Sequence, residues 1–302
     1  MELPVMVVYG TRPEGIKLAP VVNALRGSAA FRCDVAVTGQ HREMLDQVNR
    51  GFGIEPDVDL DIFSHGQSPA EIAAKTLTRL EGAISERGPR AVIVQGDTTS
   101  ALAAGLAAFY NRVPVVHVEA GLRTDSLWSP YPEEGNRRTL TQIASLHLAP
   151  TARNKEHLVR SGIEPAAVAV TGNTVIDALI EAVRLPHAVA DPRLAALLAD
   201  PRPLVLVTSH RRESWGEPMR RTARALARLA AGEPGVAFLF PLHANPLVQE
   251  IFRPALGGID NVVLTESLGY LDLAKAMSAS TLIITDSGGI QEEAPSLGKP
   301  VL

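Results

Sequence analysis

The chain has 302 residues, 46% hydrophobic and 21% charged: the make-up of an ordinary globular protein, and longer than one core usually sustains. A formal charge of −4 offers no footprint for nucleic acid or an anionic membrane, and the longest apolar run, residues 101–110, is too short to span a bilayer. Cys33 stands alone, which excludes a disulfide framework and fits a reducing compartment.

Residues 1–10 carry no basic leader pattern and read as a strand, so a cytoplasmic protein is expected. Short apolar runs at 5–9, 35–38, 91–95, 115–118, 146–149 and 168–170 predict strands. Amphipathic stretches at 16–25, 43–52, 70–84, 100–110 and 154–161 predict the helices between them. This βα alternation predicts a parallel sheet with helices on both faces. The pattern pauses at Gly172-Asn173-Thr174, runs helically to about Val183 and passes through a Pro/Ala-rich segment ending at Pro203. A second series follows, with strands at 204–208, 236–240, 262–264 and 282–285 and helices at 219–230, 247–252, 271–279 and 290–297. The expected architecture is α/β, with two Rossmann-like domains at 1–172 and 173–302. Ligands of such sheets sit beyond the C-terminal strand ends, so two facing domains would bind in the cleft between them.

The first strand-to-helix turn, Gly10-Thr11-Arg12-Pro13-Glu14-Gly15-Ile16-Lys17, nearly spells a phosphate-binding P-loop. Its lysine is one position late and no Ser or Thr follows, which argues against an NTPase. Arg12 and Lys17 remain as two cations suited to an anionic ligand, or as ordinary surface charges. Three strand ends then carry acids. Asp97 follows 91–95 and has a second reading as a plain helix N-cap. Glu119 ends 115–118, and Glu133 precedes a predicted helix beside Glu134. Together they make a plausible general acid/base set, with Arg123 and Arg137 as neighbours that keep some of them ionised.

In the second half His210 and His243 each follow an apolar strand, and Thr285-Asp286-Ser287-Gly288-Gly289 leads into a short helix containing Glu292 and Glu293. A Ser-Gly-Gly turn at a helix start is a seat for a diphosphate, with a glutamate one turn later placed for ribose hydroxyls. The plainer reading is a turn that uses glycine for its dihedrals. A metal held by both histidines and Asp286 lacks supporting spacing and is not the reading preferred.

The segments GTRPEGIKLAP, TGQHREMLDQV, QGDTTSALAAGLAAFY, HVEAGLRT, PYPEEGNRR, GNTVIDAL, TSHRRE, PLHANP and TDSGGIQEEAPSLGKPVL, spread over essentially the whole chain, resemble the non-hydrolysing UDP-N-acetylglucosamine 2-epimerases. The resemblance implies a glycosyltransferase type B fold, a homodimer, no cofactor and no metal. It also implies interconversion of UDP-GlcNAc and UDP-ManNAc for surface polysaccharide synthesis, by anti elimination of UDP to 2-acetamidoglucal and re-addition. By matching position, Asp97, Glu119 and Glu133 resemble the acid/base carboxylates, and His210 the essential histidine near phosphate and sugar. Arg12 and Lys17 would reach the ligand from the first domain, with Arg137 and His243 also lining the substrate. Ser287, Gly288 and Gly289 would hold the diphosphate, Glu293 the ribose, and the Leu268 and Leu273 region the uracil.

Rival readings are a type B glycosyltransferase, the same family acting on another UDP-sugar or hydrolysing it, and a truncated non-catalytic UDP-sugar binder. Two departures from the family pattern bear on these. The family continues beyond GKPVL, so the last strand is expected to be left as an edge, with lower stability and impaired catalysis. Restoring a family-like C-terminus should raise both, and no change on restoring it would refute the expectation. Gly66-Gln67 falls where some members carry an Arg-Gln pair for a second, activating UDP-GlcNAc, and Gly66 has no guanidinium to offer.

Overall fold

The structure, a computed structural model, describes all residues except 1, 40, 41, 65, 212 and 213, and only the backbone at 42 and 43. Gln40 and His41 of TGQHREMLDQV and Arg212 and Glu213 of TSHRRE therefore lie outside the described residues. The chain divides into two compact units, Met1–Ala178 and Leu179–Leu302.

The first unit is built on β1 (Leu3–Tyr9), β2 (Phe31–Val37), β3 (Val58–Asp59), β4 (Ala91–Gln95), β5 (Val115–Val118), β6 (Leu146–Ala149) and β7 (Val168–Val170). Between them run α1 (Arg12–Arg26), α2 (Arg42–Gly51), α3 (Pro69–Arg87), α4 (Thr99–Tyr110), α5 (Glu133–Ile143) and α6 (Ala152–Arg160), and α7 (Thr174–Arg184) leads into the second unit. All strands are parallel, in the order β3-β2-β1-β4-β5-β6-β7. Strand order reverses between β1 and β4, which opens a crevice at their C-terminal ends where such sheets take ligands. The core joins Met6, Val8, Val92 and Val94 of the sheet to Ile72 and Leu80 of α3 and the alanines of α4. Helix α4 is small-residue-rich because it is packed on several sides; a Cβ at Gly105 would meet Leu140 Cδ1 at 2.5 Å.

The second unit contains α8 (Pro192–Leu198), β8 (Leu204–Thr208), α9 (Glu217–Gly232), β9 (Ala237–Pro241), α10 (Pro246–Leu256), β10 (Val262–Thr265), α11 (Tyr270–Ala279), β11 (Leu282–Thr285) and α12 (Gly288–Glu293). Its parallel sheet has the order β10-β9-β8-β11, so the reversal lies between β8 and β11. Phe238 and Phe240 pack on Met219, Leu226 and Phe252, with the Phe240 and Phe252 rings edge to face at 4.6 Å.

Two expectations change. The Pro/Ala-rich segment contains α8, started by Asp191, whose side chain accepts from the Arg193 N–H, with Pro192 at the first helical position. β3 is only two residues long and too short to leave a periodic signal. β11 ends the sheet as an edge strand, as expected, and along its outer side Val301 bridges Ile283, Ile283 donates to Pro300 O, and Thr285 donates to Leu302 O.

Candidate active site

At the β1–α1 turn Gly10 is obligatory, because a Cβ there would meet Thr38 Oγ1 at 2.0 Å. Thr11 caps α1 and Glu14 completes the acidic half of a capping box: its Oε2 accepts from the N–H groups of Gly10 (2.9 Å) and Thr11 (2.7 Å). The other oxygen accepts from the Thr98 hydroxyl at 2.5 Å, which ties this turn to the start of α4. Glu14 is buried, and burial raises its pKa despite these donors. The sequence reading assigned Glu14 no role, although Thr-x-x-Glu before an apolar run was the available signal. Arg12 lies exposed at the first position of α1.

Gln95 and Val118 are partners in the β4–β5 ladder, so Asp97 and Glu119 leave the sheet at the same edge. Thr98 caps α4, accepting from the Ala101 N–H at 3.0 Å, so the N-cap reading of Asp97 does not hold. The Asp97 carboxylate instead meets Arg137 at 2.5 Å, and Asn136 donates to its backbone carbonyl. Burial pushes Asp97 upward against the pull of Arg137, while Glu133 is near enough to push it further and Lys17 to pull it back. Glu133 itself is half-buried at the start of α5.

Glu119 sits at φ 62°, in the left-handed region that disfavours a side chain with a Cβ. Lys17 holds it at 2.5 Å, and the Gln95 amide donates to the same carboxylate oxygen. Beneath this edge Glu134 is fully buried and serves three partners: Arg137, Arg138 and the Thr124 N–H. Burial opposes its charge, yet these partners win and its pKa falls below the usual value. Arg123 donates to Leu122 O and Thr141 Oγ1, and the charge of Glu134 also acts on it. His117, also buried, hydrogen-bonds Gly96 O through Nε2, and burial lowers its pKa to about 4.

In the second unit Asp286 organises the reversal between β8 and β11. Its carboxylate accepts from Ser209 Oγ (3.0 Å), His210 N (2.9 Å) and Arg211 N (3.1 Å), with His210 Nδ1 3.3 Å away. The His210 and His243 rings stack at 5.7 Å with 9° between planes. Ser287 stands at the N-cap of α12 without a side-chain cap bond. A Cβ on Gly288 would meet Arg211 Nη2 at 3.3 Å, whereas one on Gly289 would come no closer than 4.0 Å to Glu293 Oε1 and Ser287 Oγ. Gly289 is thus not needed for packing, and neither glycine is needed for a positive φ.

Glu293 ends α12, and its charge, after burial itself, raises the pKa of Tyr270 at the start of α11. Leu268 precedes α11 and Leu273 lies in its first turns, both half-buried. Each unit thus gathers its chemistry at its own strand-order reversal. Lys17, Asp97, Glu119, Glu133 and Arg137 meet in the first unit, and His210, His243, Ser287, Gly288 and Gly289 in the second. Gly66 has φ 70°, and Gln67 folds back on its own loop, donating to Ile62 O. No group of three or more His, Cys, Asp or Glu side chains able to hold a metal occurs among the described residues.

A sequence model of the family described as UDP-N-acetylglucosamine 2-epimerase matches residues 23–302. The chain is 48% identical over 305 residues to the UDP-N-acetylglucosamine 2-epimerase of Yersinia pestis, covering 99% of this chain and 81% of that protein. A crystal structure of a UDP-N-acetylglucosamine 2-epimerase superposes with a TM-score of 0.90 at 43% identity, covering 99% of this chain and 78% of the other. The UDP-GlcNAc 2-epimerase of Neisseria meningitidis, bound to UDP-GlcNAc, superposes with a TM-score of 0.82 at 43% identity, covering 99% and 82%.

Proposed function

Because the chain belongs to the UDP-N-acetylglucosamine 2-epimerase family, we propose that it interconverts UDP-GlcNAc and UDP-ManNAc. The observation that carries this reading is the strand edge where Asp97 is held by Arg137 and Glu119 by Lys17, with the charge of Glu133 close enough to act on Asp97. The chemistry explains why such a set is needed. The C2 proton of the sugar is not adjacent to a carbonyl, so direct removal would leave an unstabilised carbanion.

Breaking the C1–O bond first sends that electron pair to UDP and builds oxocarbenium character, which makes the C2 proton acidic. A carboxylate takes the proton as the C1–C2 double bond of 2-acetamidoglucal forms. Re-addition reverses both bond changes: a UDP oxygen attacks C1 and a carboxylic acid returns a proton to the opposite face of C2. Asp97, whose protonated form burial favours, and Glu119 and Glu133 beside it are the groups for these transfers. Arg12, Lys17 and Arg137 supply positive charge as the diphosphate leaves.

The second unit takes the nucleotide in this proposal. Ser287, Gly288 and Gly289 present N–H groups to the diphosphate, with His210 and His243 beside them. Glu293 accepts from the ribose hydroxyls, and Leu268 and Leu273 border the uracil. Residues 1–172 are then the carboxylate domain and 173–302 the nucleotide domain. The reading extends to a homodimer working in the cytoplasm on precursors of surface polysaccharide. No helix among the described residues is long and apolar enough to cross a membrane.

Proton NMR of UDP-GlcNAc incubated with the chain in D₂O tests the proposal. UDP-ManNAc should appear with deuterium at C2 of both epimers. Absence of both new epimer and exchange would reject it.

A further inference from the structure

Between α5 and α6 of the first unit lies a cavity of about 410 Å³, lined by Arg123, Arg138, Gln142, His157, Arg160 and Ser161. Three arginines line it and no carboxylate does, in a chain whose formal charge is −4. The cations are poorly neutralised. Arg123 is half-buried, spends its hydrogen bonds on Leu122 O (2.7 Å) and Thr141 Oγ1 (3.1 Å), and has no ion pair among the described residues. Among the described residues Arg160 pairs only with Glu156, at 3.6 Å and with both side chains mostly in water. Such exposed pairs hold little energy and are easily exchanged for a better anion. Arg138 pairs closely with Glu134, which also pairs with Arg137 and whose charge acts on Arg123 as well.

The remaining groups are preset for a ligand. His157 Nδ1 lies 3.0 Å from Gly121 O, so Nδ1–H donates to that carbonyl and Nε2 is the end left for other contacts. Ser161 donates to His157 O at 2.7 Å, which keeps its oxygen as an acceptor. Gln142 adds an amide at the rim. Guanidinium forks match phosphoryl oxygens in charge and in plane. The cavity has the volume of a small-molecule pocket, which suits a compact anion.

We propose that the groove between α5 and α6 binds a small phosphorylated molecule, with its phosphoryl group held by Arg123, Arg138 and Arg160 and the rest of it against Gln142, His157 and Ser161. This site belongs to the outer helices, whereas the proposed catalytic groups lie at the strand ends. Its occupancy does not depend on the reading of the reaction.

Pyrophosphate is the probe, titrated calorimetrically into the full chain with UDP present in excess to fill any diphosphate seat at Ser287–Gly289. One binding event should remain. Arg160→Gln, at an exposed position, should weaken it about tenfold or more, and Arg123→Lys, which keeps the charge and loses the fork, should weaken it as well. Arg138 is left intact because Glu134 links it to Arg137 and so to Asp97. UDP affinity measured separately should be the same in Arg160→Gln as in the unaltered chain. No event in the presence of UDP, pyrophosphate affinity in both variants equal to that of the unaltered chain, or a parallel loss of UDP affinity would each overturn the proposal. Failure of UDP to bind at all would count against the nucleotide reading of the second unit. The pyrophosphate difference between the unaltered chain and Arg160→Gln would still decide this one.

Discussion

Arg137 places one guanidinium nitrogen 2.5 Å from Asp97 and the other 3.2 Å from Glu134, so a single side chain joins an acid at the strand edge to an acid buried below it. Burial pushes Asp97 up and Arg137 is the main force pulling it back. Replacing Arg137 by Met should therefore let Asp97 hold its proton to higher pH. The acid limb of the kcat/KM profile for UDP-GlcNAc should move upward in pH, and turnover near neutrality should fall by roughly a hundredfold or more. Arg138 still holds Glu134, so the melting temperature should reveal a folded protein. An unmoved acid limb would refute the coupling.

Glu119 occupies a left-handed backbone position, a conformation that costs a residue with a Cβ roughly 1–2 kcal/mol. Glu119→Gly relieves that cost while losing the Lys17 pair, whereas Glu119→Ala loses the pair and keeps the strain. Both variants should lose C2 exchange. The glycine variant should melt above the alanine variant, a difference corresponding to about 1 kcal/mol. The reverse order of melting temperatures would show that the strain is not stored there.

Gly289 separates a turn shaped for packing from a turn shaped for a ligand. An added Cβ meets nothing closer than 4.0 Å, so Gly289→Ala should leave the melting temperature nearly unchanged. If the diphosphate rests on these N–H groups, the methyl occupies the ligand's place. UDP affinity by calorimetry should then fall at least tenfold. Unchanged affinity would leave the glycine with a backbone role only.

His117 gives the first unit a pH dependence of predictable sign. Its folded pKa, lowered to about 4 by burial, lies below the ordinary value of about 6.5 in an unfolded chain. Stability from the neutral ring is present above pH 6.5 and is lost as pH falls from there toward 4, by on the order of 3 kcal/mol at most. The charges facing it are His147, Arg123 and Arg137, all of which oppose its protonation. Urea midpoints should drop between pH 7 and 4.5, and less steeply in His117→Gln. Parallel curves would exclude His117 as the cause. Buried His147, lowered in the same direction, should account for part of the slope that remains.

Much of this arrangement was readable before any coordinates. The βα alternation set both parallel sheets and put Asp97, Glu119, His210 and Ser287 just beyond the C-terminal ends of strands, where sheets of this kind take ligands. What periodicity does not carry is how side chains are shared. Thr98, adjacent to Asp97, takes the capping role through a contact only one residue out of step with the expectation. Glu134 reads like its neighbour Glu133 in sequence, yet helix rotation buries it completely and leaves Glu133 at the edge. The left-handed backbone at Glu119 has no local signature, because glycine is the usual residue there and this chain uses glutamate. Glu14 was legible through its capping box, but its bond to Thr98, 84 positions along, arises only from the adjacency of β1 and β4.

Asp286 has a consequence for the thermodynamics of ligand capture. By accepting from Ser209, His210 and Arg211, it fastens the exit of β8 to the exit of β11 before any ligand arrives. The donors of the Ser287–Gly289 turn and the ring of His210 are thus ordered while the protein folds, and little conformational entropy remains to be lost on association. Binding at this turn should resemble docking onto a rigid surface, fast to form and with a small heat of local reorganisation. If this turn seats the nucleotide as proposed, Asp286→Ala would move that ordering from the folding step to the binding step and weaken the nucleotide through entropy, even though no atom of Asp286 need touch it.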